Sequence, residues 1–124
     1  MPITEMYFED GVFFAREVGR IERDDARYWA EQITYFAATS PTPIVSLVDA
    51  LEVTFVTTEA RQIFVRASKI PNLKLAAVAA AGGITAQTAR VIGKLAEDNH
   101  THVFPTLEEA RRFAKAQAEA AETG

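Results

Sequence analysis

Asp98, His100 and His102 stand two residues apart in the run DNHTH, and their side chains have the chemistry of metal ligands. On a strand, residues two apart share a face, so both imidazoles can point the same way. The competing reading is a solvated loop entering an edge strand. No second acidic cluster completes a coordination shell, so no metal is assigned. A second set lies in VSLVDALEVTFVTTEAR, where Asp49 closes an apolar run and Thr57, Thr58 and Glu59 open a helix. A third is AAAGGITAQT, with Gly82, Gly83 and Thr85. If the strands before these two segments are neighbours, Asp49, Thr57, Thr58, Glu59, Gly82, Gly83 and Thr85 share one rim. In open α/β sheets ligands bind at that rim, beyond the C-terminal ends of the strands.

Two readings of this rim compete. It can dock a partner or an anion, because a helix N-terminus offers unpaired N–H groups. Equally, the threonines can be helix caps and the glycines a turn. Glu59 weakens anion binding on its own helix, and the glycine segment lacks the lysine and the spacing of a P-loop. Nucleophilic chemistry finds no support. Ser40, Ser46 and Ser68 lack a Gly-x-Ser-x-Gly elbow. The carboxylates Asp24-Asp25, Glu108-Glu109 and Asp98 all have helix-end explanations. The aromatic residues Trp29, Tyr35, Phe36, Phe64 and Phe113 fall at core spacing. The residues therefore argue against an enzyme and name no cofactor.

These residues are positioned by an alternation of strands and helices. Asp10-Gly11 between the runs ITEMYFE and VFFAREVG is a hairpin signal, pairing residues 3–9 with 12–19. A helix follows in RDDARYWAEQITYFAAT, with Ala26, Trp29, Ile33, Phe36 and Ala37 inward, and Ser40-Pro41-Thr42-Pro43 ends it. Ile44 to Val48 reads as a strand covered on both faces. Thr57 or Thr58 caps a second helix, with Ala60, Ile63, Phe64 and Ala67 inward, and Pro71-Asn72 stops it. Leu73 to Ala80 is a second buried strand. A third helix has Ala89, Ile92, Leu95 and Ala96 inward. His102 to Phe104 is the last strand, and Thr106-Leu107-Glu108-Glu109 opens a fourth helix with a capping-box pattern. The tail KAQAEAAETG is expected to fray. The order β-β-α-β-α-β-α-β-α predicts one α/β domain over residues 1–124, with a mostly parallel mixed sheet opened by a hairpin.

Composition narrows the partners. The 124 residues carry a net charge of −4 and no basic stripe, which disfavours nucleic acid and anionic membranes. Cysteine is absent, so disulfides and thiolate sites are excluded. The acidic start MPITEMYFEDG is unlike a signal peptide, and no segment reaches the ~20 apolar residues of a membrane span. A cytoplasmic protein without membrane insertion is the expectation.

The element order and the segment around Asp49 resemble the STAS domain of bacterial anti-sigma-factor antagonists, and more closely its SpoIIAA-like branch, which is linked to STAS/Sec14-type domains. In that domain a strand ends in aspartate, a short apolar turn follows, and Asp-Ser-Ser-Gly opens a helix whose second serine is the phosphoacceptor. Without gaps, Asp49 falls on the strand-end aspartate and Val53-Thr54-Phe55-Val56 on the apolar turn. Thr57, Thr58, Glu59 and Ala60 fall on the Asp-Ser-Ser-Gly positions. HVFPTLEEARRFA is similar to the branch's last strand and helix. The resemblance implies a non-catalytic regulatory domain that docks an unidentified protein through Asp49, Thr57, Thr58, Glu59 and Arg61. Glu59 replaces the phosphoacceptor with a permanent charge, and Thr58 is the acceptor if the register slips by one. A homodimer through the second helix is a further expectation. The alternative is a small apolar or lipid-like ligand held between helices and sheet, near Phe55, Phe64 and Ala76 to Ala81.

Overall fold

The computed structural model describes residues 2–81, 87 and 101–123. Its five strands are β1 (Ile3–Glu9), β2 (Val12–Ile21), β3 (Ile44–Val56), β4 (Leu73–Ala79) and β5 (Thr101–Phe104). Its helices are α1 (Arg23–Thr39), α2 (Thr58–Ala67) and α3 (Leu107–Thr123). The strands form one sheet in the order β1-β2-β3-β4-β5, antiparallel only between β1 and β2. This is the α/β architecture that the sequence predicts. The helix expected around Ala89 to Ala96 lies outside the described residues.

Local chemistry accounts for the element ends. Asp10 and Gly11 have φ of 51° and 80°, the two positive angles that a tight hairpin turn requires. At the start of α1 the Glu22 N–H donates to the Asp25 carboxylate at 2.9 Å, occupying a donor that the helix leaves free. Asn72 adopts φ 68°, and its side-chain N–H reaches the carbonyls of Ala37, Ser40 and Thr42 at 2.9–3.1 Å. One amide thus ties the proline loop to the entry of β4.

The two faces of the sheet bury different cores. On one face α1 and α2 cover Phe13, Ala15, Ile44 and Val48 with Ala26, Trp29, Ile33, Ala60 and Ile63. On the other, α3 lays Ala110, Ala114 and Ala118 over Phe14, Val45, Leu47, Leu75, Ala77 and Ala79. Ile44 to Val48 is buried throughout, as a strand covered on both sides must be.

Four expectations change. Tyr35 is not a core aromatic: it is 60 % exposed, its ring set edge-to-face with that of Phe36, 5.3 Å between ring centres. The tail does not fray at Lys115, because α3 runs to Thr123 and Ala118 is buried against the sheet. Val53 to Val56 is no turn: β3 continues through it, 13 residues long. Finally, the exposed large apolar residues among those described are Tyr28, Tyr35, Leu51 and Phe55, none of them on α2. The ground for a homodimer through the second helix is thereby removed. No described helix is long and apolar enough to cross a membrane.

Candidate functional site

The length of β3 decides the geometry of the expected rim. Asp49 pairs with Ala79, the last residue of β4, so the sheet proper ends at that level. Beyond it β2 and β3 continue as a two-stranded ribbon, with Val18 opposite Glu52, Gly19 opposite Val53 and Ile21 opposite Val56. Register shifts fall between Arg16 and Val18 and between Gly19 and Arg20, so five steps in β2 match seven in β3. At ~3.3 Å per residue this carries Thr57 roughly 20 Å from Asp49 along the strand. The structure therefore does not bring Asp49 together with Thr57, Thr58 and Glu59. Gly82, Gly83 and Thr85 lie outside the described residues, as do Asp98 and His100.

Asp49 belongs to an ion network on the α3 side of the sheet. Its Oδ2 accepts from Arg16 Nε at 3.0 Å and its Oδ1 from the Leu51 N–H at 3.2 Å. Arg16 also pairs with Glu5 across the hairpin at 3.2 Å. The hydrogen bond that Arg16 donates to Asp49 is the main cause that raises the Arg16 pKa above its ordinary value. This cluster joins the first three strands at the base of the ribbon.

At the ribbon's tip Thr57 is the cap of α2, its Oγ1 accepting from the Ala60 N–H at 3.1 Å. Its backbone N–H donates to the Ile21 carbonyl at 3.0 Å, so the end of β2 holds the helix start. Thr58 and Glu59 face solvent, and Glu59 meets Arg23 of α1 only at 3.8 Å. Arg61 donates its backbone N–H to the Thr57 carbonyl at 2.9 Å, while its Nε is buried without a hydrogen-bond partner. Beside this turn stands Phe55, 44 % exposed, with the Arg20 guanidinium 4.9 Å above its ring. Leu51, also on the ribbon, is 38 % exposed. His102 packs its ring 4.8 Å from Phe113 under α3.

One residue escaped the sequence reading. Glu17 of β2 is 4 % exposed, and burial, with the Asp25 charge adding to it, pushes its carboxyl up to about 8. It therefore carries a proton at neutral pH. The signal was present in VFFAREVG: alternation places Glu17 on the same face as Phe13 and Ala15, both fully buried.

No known protein family and no curated protein matches the sequence. Solved structures do resemble it. An uncharacterized DUF3478-family protein from Shewanella loihica PV-4, with a SpoIIAA-like fold, is 18% identical with TM-score 0.64, over 90% of this chain and 91% of that one. An anti-sigma factor antagonist from Mycobacterium paratuberculosis is 24% identical with TM-score 0.66, over 91% and 94%. The murine Solute Carrier 26 family member A9 anion transporter is 17% identical with TM-score 0.54, over 86% of this chain but only 18% of its own. With its hairpin-led sheet and its helices on both faces, the chain has a SpoIIAA-like fold.

Proposed function

We propose that this chain is a non-catalytic regulatory domain that docks a protein partner at the tip of the β2–β3 ribbon, around Thr57, Thr58 and Glu59. The observation that carries this reading is the exposure of an apolar and charged surface at one protruding point. Phe55 stands open to solvent beside the start of α2, where Glu59 has only a long contact to Arg23, and Leu51 is open nearer the base of the same ribbon. Aromatic residues supply much of the binding energy of interfaces, and charges at the rim set specificity and association rate. The similarity to an anti-sigma factor antagonist supports the same reading. Glu59 then gives the surface a fixed negative charge where related domains place a phosphoacceptor, and the neighbouring Thr58 hydroxyl is open to modification. Arg61 holds the start of α2 through its backbone N–H to the Thr57 carbonyl, and Asp49 braces the ribbon's base.

The test is capture of the partner by wild type, Glu59→Arg and Phe55→Ala, with Arg112→Glu on the exposed face of α3 as control. Both ribbon variants should lose at least tenfold in affinity while the control binds like wild type. Equal binding by all four proteins would remove the ribbon from the interface. An intact-mass measurement on protein from its native cells reads added phosphate, and its loss in Thr58→Ala assigns it to Thr58.

A further inference from the structure

Among the described residues four buried side-chain atoms lack a hydrogen-bond partner, and three of them, Glu17 Oε2, Trp29 Nε1 and Ser46 Oγ, belong to residues lining one cavity. The cavity lies between the sheet and the α1–α2 layer, has a volume of about 90 Å³, and is lined mostly by apolar side chains such as Val48, Val53 and Phe64, with Ser68 and Thr101 also on its border. Glu17, Trp29 and Ser46 are 4 %, 5 % and 1 % exposed, so bulk water does not satisfy them. An unsatisfied buried polar group costs about 1–3 kcal/mol, and three such groups around one cavity call for an occupant.

Water fits poorly. A buried water takes ~3 hydrogen bonds. Ser46 is four residues from Ala50 on β3, the position nearest Glu17 in the register, which separates the two roughly 13 Å along the sheet. A single water cannot bridge them. The volume is three-fifths of that in the ~150 Å³ cavity known to hold benzene, which leaves room for a body of about four or five non-hydrogen atoms. The three polar groups share one capacity. An indole N–H only donates, a serine hydroxyl can donate, and a protonated carboxyl donates through its O–H.

We propose that this cavity is a binding site for a small uncharged molecule whose apolar body carries a carbonyl, ether or hydroxyl oxygen, with that oxygen accepting a hydrogen bond from Glu17. Burial keeps the Glu17 proton in place at neutral pH, with its carboxyl pushed up to about 8, so a donor is present. A carboxylate ligand is disfavoured, because among the described residues no cation lines the cavity to neutralise it. The site is separate from the ribbon surface and does not depend on it.

Trp29 is the only tryptophan, so its indole N–H gives a single NMR resonance inside the cavity. The probe is 2-butanone, titrated into wild type, Glu17→Leu and Glu17→Gln while that resonance is followed. Wild type should show a saturable shift, Glu17→Leu binding at least tenfold weaker, and Glu17→Gln, whose amide still donates, binding within about threefold of wild type. Removing a buried polar atom should leave Glu17→Leu folded, and its spectrum checks this. Absence of a saturable shift in wild type would overturn the site. Equal binding by folded Glu17→Leu would overturn the role of Glu17.

Discussion

The two faces of the sheet are built on opposite packing rules. Under α3 three alanines, spaced four residues apart, let the helix lie close on Val45, Leu47, Ala77 and Ala79, and none of the unpartnered buried polar atoms lies there. Under α1 and α2 the spacers are rings: Trp29 sits 5.2 Å from Phe64 and 6.3 Å from Phe13. This layer contains the cavity with its unpartnered Glu17, Trp29 and Ser46. Close-packed interiors accept almost no extra volume, whereas a cavity is a standing loss of contacts. One face is thus spent on stability, and the other keeps space and polarity that stability alone would eliminate.

Titration of Glu17 gives the largest expected contrast. Its folded-state pKa of about 8 lies above the ordinary 4.5, so the folded chain binds the proton more tightly than the unfolded chain. Stability should be unaffected by this group below about pH 4.5, fall as pH rises from there to about 8, and level off above. The fall amounts to ~4–5 kcal/mol at 1.36 kcal/mol per pH step of displacement. Denaturant unfolding at a series of pH values should show this slope in wild type and lose it in Glu17→Gln. A slope that survives in Glu17→Gln would assign it to other groups.

Adding volume should have opposite effects on the two faces. Ala114→Leu forces bulk between α3 and the sheet, where Ala114 is fully buried, and should destabilise by about 3 kcal/mol. Ser46→Val fills cavity space and deletes an unpartnered hydroxyl, and should stabilise by about 1 kcal/mol. Melting temperatures of the two variants measure both signs, and equal signs would break the comparison. The smallest effect belongs to the ribbon tip. Thr57→Ala removes the cap of α2 and should cost about 1 kcal/mol, read as a lower denaturation midpoint with unchanged m-value.

Much of this was legible in the sequence. The acids at Asp24 and Asp25 and the proline at Pro41 bound α1, which runs from Arg23 to Thr39 as expected. Asp10-Gly11 specified the hairpin because few dipeptides take two positive φ angles. The ribbon was hidden for a physical reason. Register shifts break the two-residue alternation, so Leu51 and Glu52 both face solvent before Val53 turns inward, and the segment reads as a turn. The rim expected around Asp49 rested on that misreading. Glu17 was legible through its alternation, but the depth of its burial depends on α1 and α2 arriving over it, which no local pattern in β2 encodes.

The seating of α3 has a consequence for how the chain is made. Its residues meet the earliest segments: Arg111 donates to the Tyr7 hydroxyl at 3.0 Å across 104 positions, and a Cβ on Gly11 would lie 3.3 Å from Ala118. On the ribosome, β2, β3 and β4 emerge with one face bare, and its cover is synthesised last. At ~5–20 residues per second that face stays open for several seconds, and the domain can close only after Ala118 leaves the exit tunnel. A nascent chain stalled before residue 107 should therefore present Phe14, Val45 and Leu47 to chaperones, and release of the final helix should end that exposure in one step.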